Sequence, residues 1–191
     1  MTDHQRLYDG ISKAAWGYFF LYFDFNINSV SLIPSFVGFL LFLSAIDHLK
    51  DEERDLALLR PLGILLALWH GAEWLASWVG VNLDGGSQFI DLIVCLANLY
   101  FHFQLLTNLA SLAAKYQPSD VFLDAKLLRY RTLQTVMLTG ITVLTYLSSW
   151  FADFWAVISI LMAVVYLIAS ICLMKALFDL RRVLPESGRT L

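Results

Sequence analysis

Long apolar segments dominate this chain of 191 residues and leave few folds open to it. Hydrophobic residues make up 59% of the sequence, and most of them lie in six segments separated by short polar connections. The segments are residues 8–23, 32–49, 56–80, 87–114, 121–149 and 153–180. In hydrocarbon every backbone N–H and C=O must be satisfied within its own segment, and runs of this length without apolar–polar alternation favour helices. The sequence therefore predicts one all-α transmembrane domain, 1–191, built as a bundle of six helices.

The lysines and arginines, thirteen in all, occupy only alternate connections. They lie at the N-terminal end, in the second and fourth connections and at the C-terminal end, and the other three connections contain none. Because basic residues flanking membrane helices face the cytoplasm, we expect a multi-pass protein of the cell (plasma) membrane with both termini cytoplasmic. The first two segments are short for a full span, so a re-entrant hairpin is the alternative to two crossings.

The connections indicate where each helix ends. Those without basic residues, 24–29, 82–86 and 151–153, are rich in Asp, Asn and Gly and are predicted to be tight outer turns. In the largest inner connection, Pro118 followed by Ser119 and Asp120 is typical of a helix stop and a new N-cap. Aromatic residues such as Trp74 and Trp78 crowd the outer side, as in an interfacial belt or, alternatively, an aromatic-lined pocket.

Charge limits the partners of this protein. Thirteen basic and sixteen acidic residues give a net charge of −3, which argues against nucleic acid, since nucleic-acid binding needs a concentrated basic face. The lipid bilayer is the predicted partner. Residues 121–131 mix charged and apolar side chains, which indicates either a solvated collar or a docking surface for a membrane or cytoplasmic protein.

Polar residues recur at helical spacing within the third and fourth segments. His70 and Glu73 are three residues apart and therefore neighbours on one helix. Asp91, Cys95, Asn98 and His102 follow at spacings of four, three and four and form one stripe on the next helix. The two helices are predicted to run antiparallel and to pack as neighbours, with His70 and Asn98 at the same level near the middle of the membrane.

These residues predict a ligand-binding site formed by His70, Glu73, Asp91, Asn98 and His102. An ionised carboxyl at such a depth costs about 2.5–3.5 kcal/mol on insertion scales, so it should be neutral or matched by a protonated histidine or a bound cation. Simpler explanations exist for each residue. Asp91 suits the first turns of a helix, and the others can serve as hydrogen-bonded packing between helices.

The sequence does not name a cofactor or a catalytic residue. Two histidines and two acids on different helices lack the spacing of a known metal motif such as H-E-x-x-H, so no metal site is predicted. Three functions are compatible with the residues: a protein that binds or transports a small solute or cation, an intramembrane enzyme using Glu73 with His70 or His102, and a structural or assembly protein. The first predicts a cavity reaching the outer surface, whereas the last predicts a dry, fully paired seam.

Residues 10–50 carry a family resemblance. The matching residues are Phe23-Asp24-Phe25-Asn26-Ile27-Asn28, then Leu32-Ile33-Pro34-Ser35-Phe36-Val37-Gly38-Phe39, then a leucine-rich helix ending at Lys50. The stretch resembles an uncharacterised family of small multi-span membrane proteins of Gram-positive bacteria, whose members tend to have Asp in place of Ser35. The resemblance implies a membrane fold and no particular activity, substrate or site residue.

Overall fold

A computed structural model describes residues 3–23, 26–27, 30–31, 34–81, 88–118, 121–147 and 152–183. Seven helices make up nearly all of this part of the chain. They are α1 (Asp3–Tyr22), α2 (Ser35–Leu49), α3 (Asp55–Leu58), α4 (Arg60–Trp78), α5 (Gln88–Tyr116), α6 (Leu123–Leu147) and α7 (Ala152–Val183). The all-helical prediction is confirmed, and each predicted segment coincides with a helix or, for 56–80, with two. The predicted outer turn at 82–86 lies outside the described residues.

Two of these helices are long and apolar enough to cross a membrane by length and composition alone. They are α5 and the part of α7 from Val157 to Val183. Helix α2 is apolar but shorter. The described residues therefore provide two helices that meet this criterion, where the sequence predicted six spans.

Three features of the connections differ from the predictions. Ala152 and Asp153, predicted to belong to an outer turn, are the first residues of α7. Between α1 and α2, a two-residue strand β1 (Asn26–Ile27) pairs antiparallel with β2 (Val30–Ser31), which the sequence did not suggest. The third predicted segment divides at Leu59 into α3 and α4, with a proline in the first turn of α4. Pro61 has no N–H to donate to a preceding carbonyl, so a helix readily restarts there but does not readily run through it.

A side chain from the preceding connection caps helix α6. The Gln117 side-chain carbonyl accepts hydrogen bonds from the backbone N–H of Leu123, at 2.7 Å, and of Asp124, at 3.3 Å. The Gln117 amide donates to the Asp124 carboxylate at 2.7 Å. The predicted cap at Ser119 and Asp120 lies outside the described residues. Gln117 satisfies two helix N–H groups that would otherwise have no acceptor within the helix.

The α1–α2 pair packs closely along its length. A Cβ atom built on Gly38 would lie 2.9 Å from the backbone oxygen of Gly17, so only glycine permits this approach. Around the crossing, α1 and α2 bury large apolar side chains completely, among them Tyr18, Phe39 and Phe42. Most of the remaining core comes from the halves of α5 and α7 that end at Tyr116 and Val183.

The basic ends of the helices meet at one end of the bundle. Contacts link α1 to the α2–α4 region, where Arg6 pairs with Asp51 at 3.0 Å and Lys13 donates to Ser44 at 2.9 Å. Lys115 of α5 pairs with Glu52 at 2.6 Å. On α7, Arg181 donates to Ser12 at 3.2 Å. Arg6, Lys115 and Arg181, which the sequence assigned to one side of a membrane, are therefore linked by contacts between elements at this end.

The α4–α5 pair packs less closely than expected. The two helices have few close backbone contacts, although they follow one another in the chain. Buried residues of α4 are confined to its first half, Gly63, Leu66 and Ala67, and those of α5 begin only at Phe101. The helices therefore diverge toward the connection that joins them, and a cavity occupies the space between them.

Candidate functional site

A cavity of about 520 Å³ lies inside the bundle and is lined by residues of α1, α4, α5, α6 and α7. All five residues of the predicted site line it: His70, Glu73, Asp91, Asn98 and His102. Its volume falls within the range of about 300–1,000 Å³ typical of sites for small molecules. The spacing of polar residues on two helices thus located one wall of a real cavity.

Glu73 and His70 form a hydrogen-bonded pair on α4. His70 Nδ1 lies 2.7 Å from Glu73 Oε2. When Glu73 is ionised it only accepts hydrogen bonds, and His70 then donates from Nδ1. The two side chains remain partly accessible, at 20% for Glu73 and 18% for His70, and the cavity beside them is open to the surface.

Asn98 connects this pair to α5. His70 Nε2 lies 3.4 Å from Asn98 Nδ2 and 3.5 Å from Oδ1, a long contact across the cavity wall. In the tautomer in which His70 donates from Nδ1, Nε2 is the acceptor and the Asn98 amide is the donor. The predicted common level of His70 and Asn98 agrees with this contact.

The α5 stripe forms one long side of the cavity. Asp91, Cys95, Asn98 and His102 all line it. At about 1.5 Å per residue the stripe extends about 16 Å along the helix. Asp91 lies in the first turn of α5, nearest the α4–α5 connection, and His102 lies at the opposite, more deeply packed end.

Aromatic rings enclose the deep end. His102 Nδ1 lies 3.3 Å from the hydroxyl of Tyr18, which is fully buried. The His102 ring centroid is 5.5 Å from that of Phe42 and 5.4 Å from that of Phe101. Phe39 stacks on His70, with centroids 5.0 Å apart and rings 11° from parallel. Both imidazoles are therefore fixed in orientation by a hydrogen bond and by ring packing.

The opposite wall consists of residues that the sequence analysis missed. Tyr22, Tyr166 and Ser170 line the cavity from α1 and α7. Behind them Gln134, which is 7% exposed, donates to the Tyr22 hydroxyl at 2.8 Å and to Ser170 Oγ at 2.9 Å. A glutamine within an apolar segment was the one sequence feature that pointed to this wall.

A narrow extension of about 30 Å³ continues from the cavity and shares Tyr22, His102, Leu138 and Tyr166 with it. This volume holds about one or two water molecules. Arg131 lies at its far side, where Nη1 donates to Thr107 at 2.7 Å and the guanidinium carbon is 4.1 Å from the Phe103 ring centroid. The arginine is therefore separated from the main cavity by a gap too small for a solute.

The cavity combines a few polar side chains with an apolar and aromatic lining. In the described part of the chain no three His, Cys, Asp or Glu side chains are grouped so as to hold a metal ion. Cys95 Sγ lies 3.3 Å from Thr142 Oγ1, and Thr142 in turn donates to the Leu138 carbonyl at 2.9 Å. The thiol is thus the donor in the Cys95–Thr142 contact, and it is held as a packing group.

Comparison with protein-family models, with curated proteins and with solved structures finds no match to this chain. The resemblance of residues 10–50 to a family of small multi-span membrane proteins therefore stays a prediction. The cavity and the surface of the helices that surround it are the features that bear on function.

Proposed function

We propose that this chain is a multi-pass membrane protein with both termini cytoplasmic, and that its cavity binds a small solute or cation in a transport-type activity. The observation that carries the proposal is the cavity itself, in which carboxyl, imidazole and amide groups from α4 and α5 converge on about 520 Å³ of space. A cavity of this size with a few placed polar groups is the usual form of a small-molecule site.

The membrane part of the proposal rests on the outer surface of the bundle. Only 17% of the most apolar stretch of α5, and likewise of α7, is buried inside the protein, whereas a core helix of a water-soluble protein would be mostly buried. On α7, Ile160 is 64% exposed and Leu161 is 62% exposed. So large an apolar surface needs lipid or a partner protein to cover it, and lipid covers all sides of such a helix.

The remaining helices complete a spanning bundle in this proposal. At about 1.5 Å per residue α1 extends about 30 Å and α6 about 37 Å, but the charged first turns of both helices lie at the cytoplasmic end, so their apolar parts cross a core of about 30 Å only where the bilayer is thinned. Helix α2 extends only about 22 Å and requires local thinning of the bilayer or a re-entrant arrangement. The meeting of basic residues at one end, as in Lys115 with Glu52, supports a cytoplasmic face there.

Ligand-dependent stabilisation tests the binding proposal. Metabolites and metal ions are screened against the detergent-purified protein, because a ligand at about one hundred times its Kd stabilises the folded state by about 2.7 kcal/mol. The same screen is run on Glu73→Gln and on Leu138→Trp, which fills the cavity. Val136→Trp, on an exposed position of the same helix, is the matched control.

The expected result is a compound that raises the unfolding temperature of the parent and of Val136→Trp, but not of Leu138→Trp or Glu73→Gln. Uptake of that compound into proteoliposomes then tests transport. If no compound stabilises the parent, or if Leu138→Trp responds as the parent does, the binding proposal is wrong.

Cysteine labelling tests the topology. In a protein with Cys95→Ser and Cys172→Ser, the variants Arg54→Cys and Arg129→Cys should react with an impermeant maleimide only after the cells are permeabilised. Labelling of either position in intact cells would contradict cytoplasmic placement of the basic connections.

An enzyme is the second candidate, and the His70–Glu73 distance of 2.7 Å is the observation in its favour, because proton transfer needs such a contact. The surroundings favour binding instead. Both ring nitrogens of His70 face a protein partner, and His102 is held by Tyr18. The third candidate, a structural protein with a dry and fully paired seam, does not account for the open volume between α4 and α5.

A further inference from the structure

We propose that the ligand of this cavity is an organic cation, an amine or quaternary ammonium with an apolar body. This inference rests on the proposed binding function and names the class of solute. It is carried by what lines the cavity: two carboxyl groups, three large aromatic side chains and, among the residues that the structure describes, no lysine or arginine.

The charge of the lining is one-sided. Glu73 and Asp91 supply its carboxyl groups, and no lysine or arginine among the described residues lines it. His70 is hydrogen-bonded to Glu73, and His102 lies at the far end of the stripe, about 16 Å from Asp91 along α5. Carboxylates within a membrane favour a positive charge beside them, so the lining favours a positively charged ligand.

The position of Asp91 suits an acidic residue. It lies in the first turn of α5, where the positive end of the helix dipole stabilises a carboxylate. The helix dipole explains why an acid is tolerated at that position. The helix dipole does not explain why Asp91 lines the same cavity as Glu73, whereas a cationic ligand explains it.

The rest of the lining suits the body of an organic cation. Tyr22, Trp69 and Tyr166 present rings that attract ammonium groups through their π faces, and Val94 and Leu167 provide apolar surface. The volume of about 520 Å³ is far more than a bare metal ion occupies, and the described residues offer no three-ligand cluster for one.

The structure disfavours an anion or a zwitterion. A negative group on the ligand would need a basic partner, and Arg131 lines only the adjoining cavity of about 30 Å³, which is too small for a solute. Arg131 Nη1 donates to Thr107 and its guanidinium packs against the ring of Phe103, while its buried Nε has no hydrogen-bond partner among the described residues. A carboxylate in the main cavity would face two carboxyl groups with no cation to offset them.

Three probes with the same phenylbutyl body and different charge test the inference: 4-phenylbutylamine, 4-phenylbutanol and 5-phenylpentanoate. Binding to the purified protein is measured by thermal stabilisation and by the change in tryptophan fluorescence, since Trp69 lines the cavity. We expect the amine to bind at least about tenfold more tightly than the alcohol and the carboxylate more weakly than either.

Charge-neutral variants identify the groups responsible. Glu73→Gln and Asp91→Asn should each reduce the preference for the amine over the alcohol, and the double variant should abolish it while the alcohol still binds. Asp47→Asn, a carboxylate that pairs with Lys50 and Arg60 at the basic end, is the matched control and should keep the full preference.

The outcomes separate the two proposals. Equal binding of all three probes, or tightest binding of the carboxylate, overturns the cation inference, and loss of that binding in Leu138→Trp would still support a solute site. Failure of all three probes also overturns the inference. The binding function itself falls if the broad metabolite screen gives no stabilising compound, or if Leu138→Trp responds to a stabilising compound as the parent does.

Discussion

The α1–α2 pair and the α4–α5 pair are both antiparallel and consecutive in the chain, yet one is closed and the other is open. In the α1–α2 pair, Gly17 and Gly38 let the backbones approach, and Phe42 fills the space beside them with no exposed surface. In the α4–α5 pair, His70 faces Asn98 across a contact of 3.4 Å, and open volume lies beside them.

The difference between the two pairs shows how the size and polarity of side chains together set the distance between neighbouring helices. Small residues opposite each other allow backbone contact, and dispersion between large neighbours then holds the pair together. At the level of His70 and Asn98, polar side chains of medium size face each other across a long contact and leave open volume beside them. The closed pair thus serves as a rigid support, and the open pair provides the site.

The largest expected effect comes from removing a ring from the closed pair. Phe42→Ala leaves a void among Tyr18, Phe39, Phe101 and His102, whose rings lie 4.8 to 5.9 Å from it, and should lower the free energy of unfolding by about 3–5 kcal/mol. Thermal and denaturant unfolding in detergent measure the loss.

Phe89→Ala is the matched control from the open pair. Phe89 is 71% exposed near the start of α5, so its removal should change stability by about 0.5 kcal/mol or less. Equal losses for the two variants would mean that the α1–α2 pair is no better packed than the diverging ends of α4 and α5.

The next prediction compares two glycine-to-alanine substitutions, whose effects on stability should have opposite signs. Gly38→Ala places a Cβ atom 2.9 Å from the backbone oxygen of Gly17, so a helix must shift, at a cost of about 1–3 kcal/mol. Gly71→Ala meets only Phe36 Cγ, at 3.9 Å, and should stabilise α4 by about 0.5–1 kcal/mol because alanine is the better helix former.

Unfolding of both alanine variants in the same detergent checks this expectation. A stabilising Gly38→Ala would mean that α1 and α2 separate without penalty. A destabilising Gly71→Ala would mean that α4 lies closer to its neighbours than the open arrangement allows.

The sequence was sufficient to predict the features that depend on one stretch of chain at a time. Helix formation follows from apolar segments whose backbone has no other partner, and the α5 stripe from Asp91 to His102 follows from spacing on a single helix. Both are properties of short stretches of chain. The prediction of one cavity wall therefore needed no knowledge of how the helices pack.

The parts that the sequence did not reveal depend on contacts between distant segments. Tyr22 and Ser170 reach the cavity because α1 packs against α7, and no spacing within either helix indicates that. The divergence of α4 and α5 was missed for the same reason, since a short connection predicts neighbouring helices but not their separation. The third segment divides at Leu59 because of Pro61. The proline is present in the sequence, but the continuous apolar pattern of residues 56–80 suggested a single helix.

The smallest expected effect concerns the polar contacts that bridge each pair. In the closed pair Lys13 donates to Ser44 at 2.9 Å, and in the open pair Asn98 meets His70 at 3.4 Å. Interhelical hydrogen bonds in membranes contribute about 0.6 kcal/mol on average. Ser44→Ala should therefore cost about that amount, and Asn98→Ala less, because its contact is longer and borders an open cavity.

A double-mutant cycle on each pair isolates the bridging contact: Lys13→Met with Ser44→Ala, and His70→Phe with Asn98→Ala. The coupling energy should be larger for the first pair and close to zero for the second, because a contact that spans a gap can be replaced by water. A coupling above about 2 kcal/mol between His70 and Asn98 would exceed that of a long, water-accessible bond. It would show that α4 and α5 are locked together at this level, and the cavity between them would then be closed to a solute.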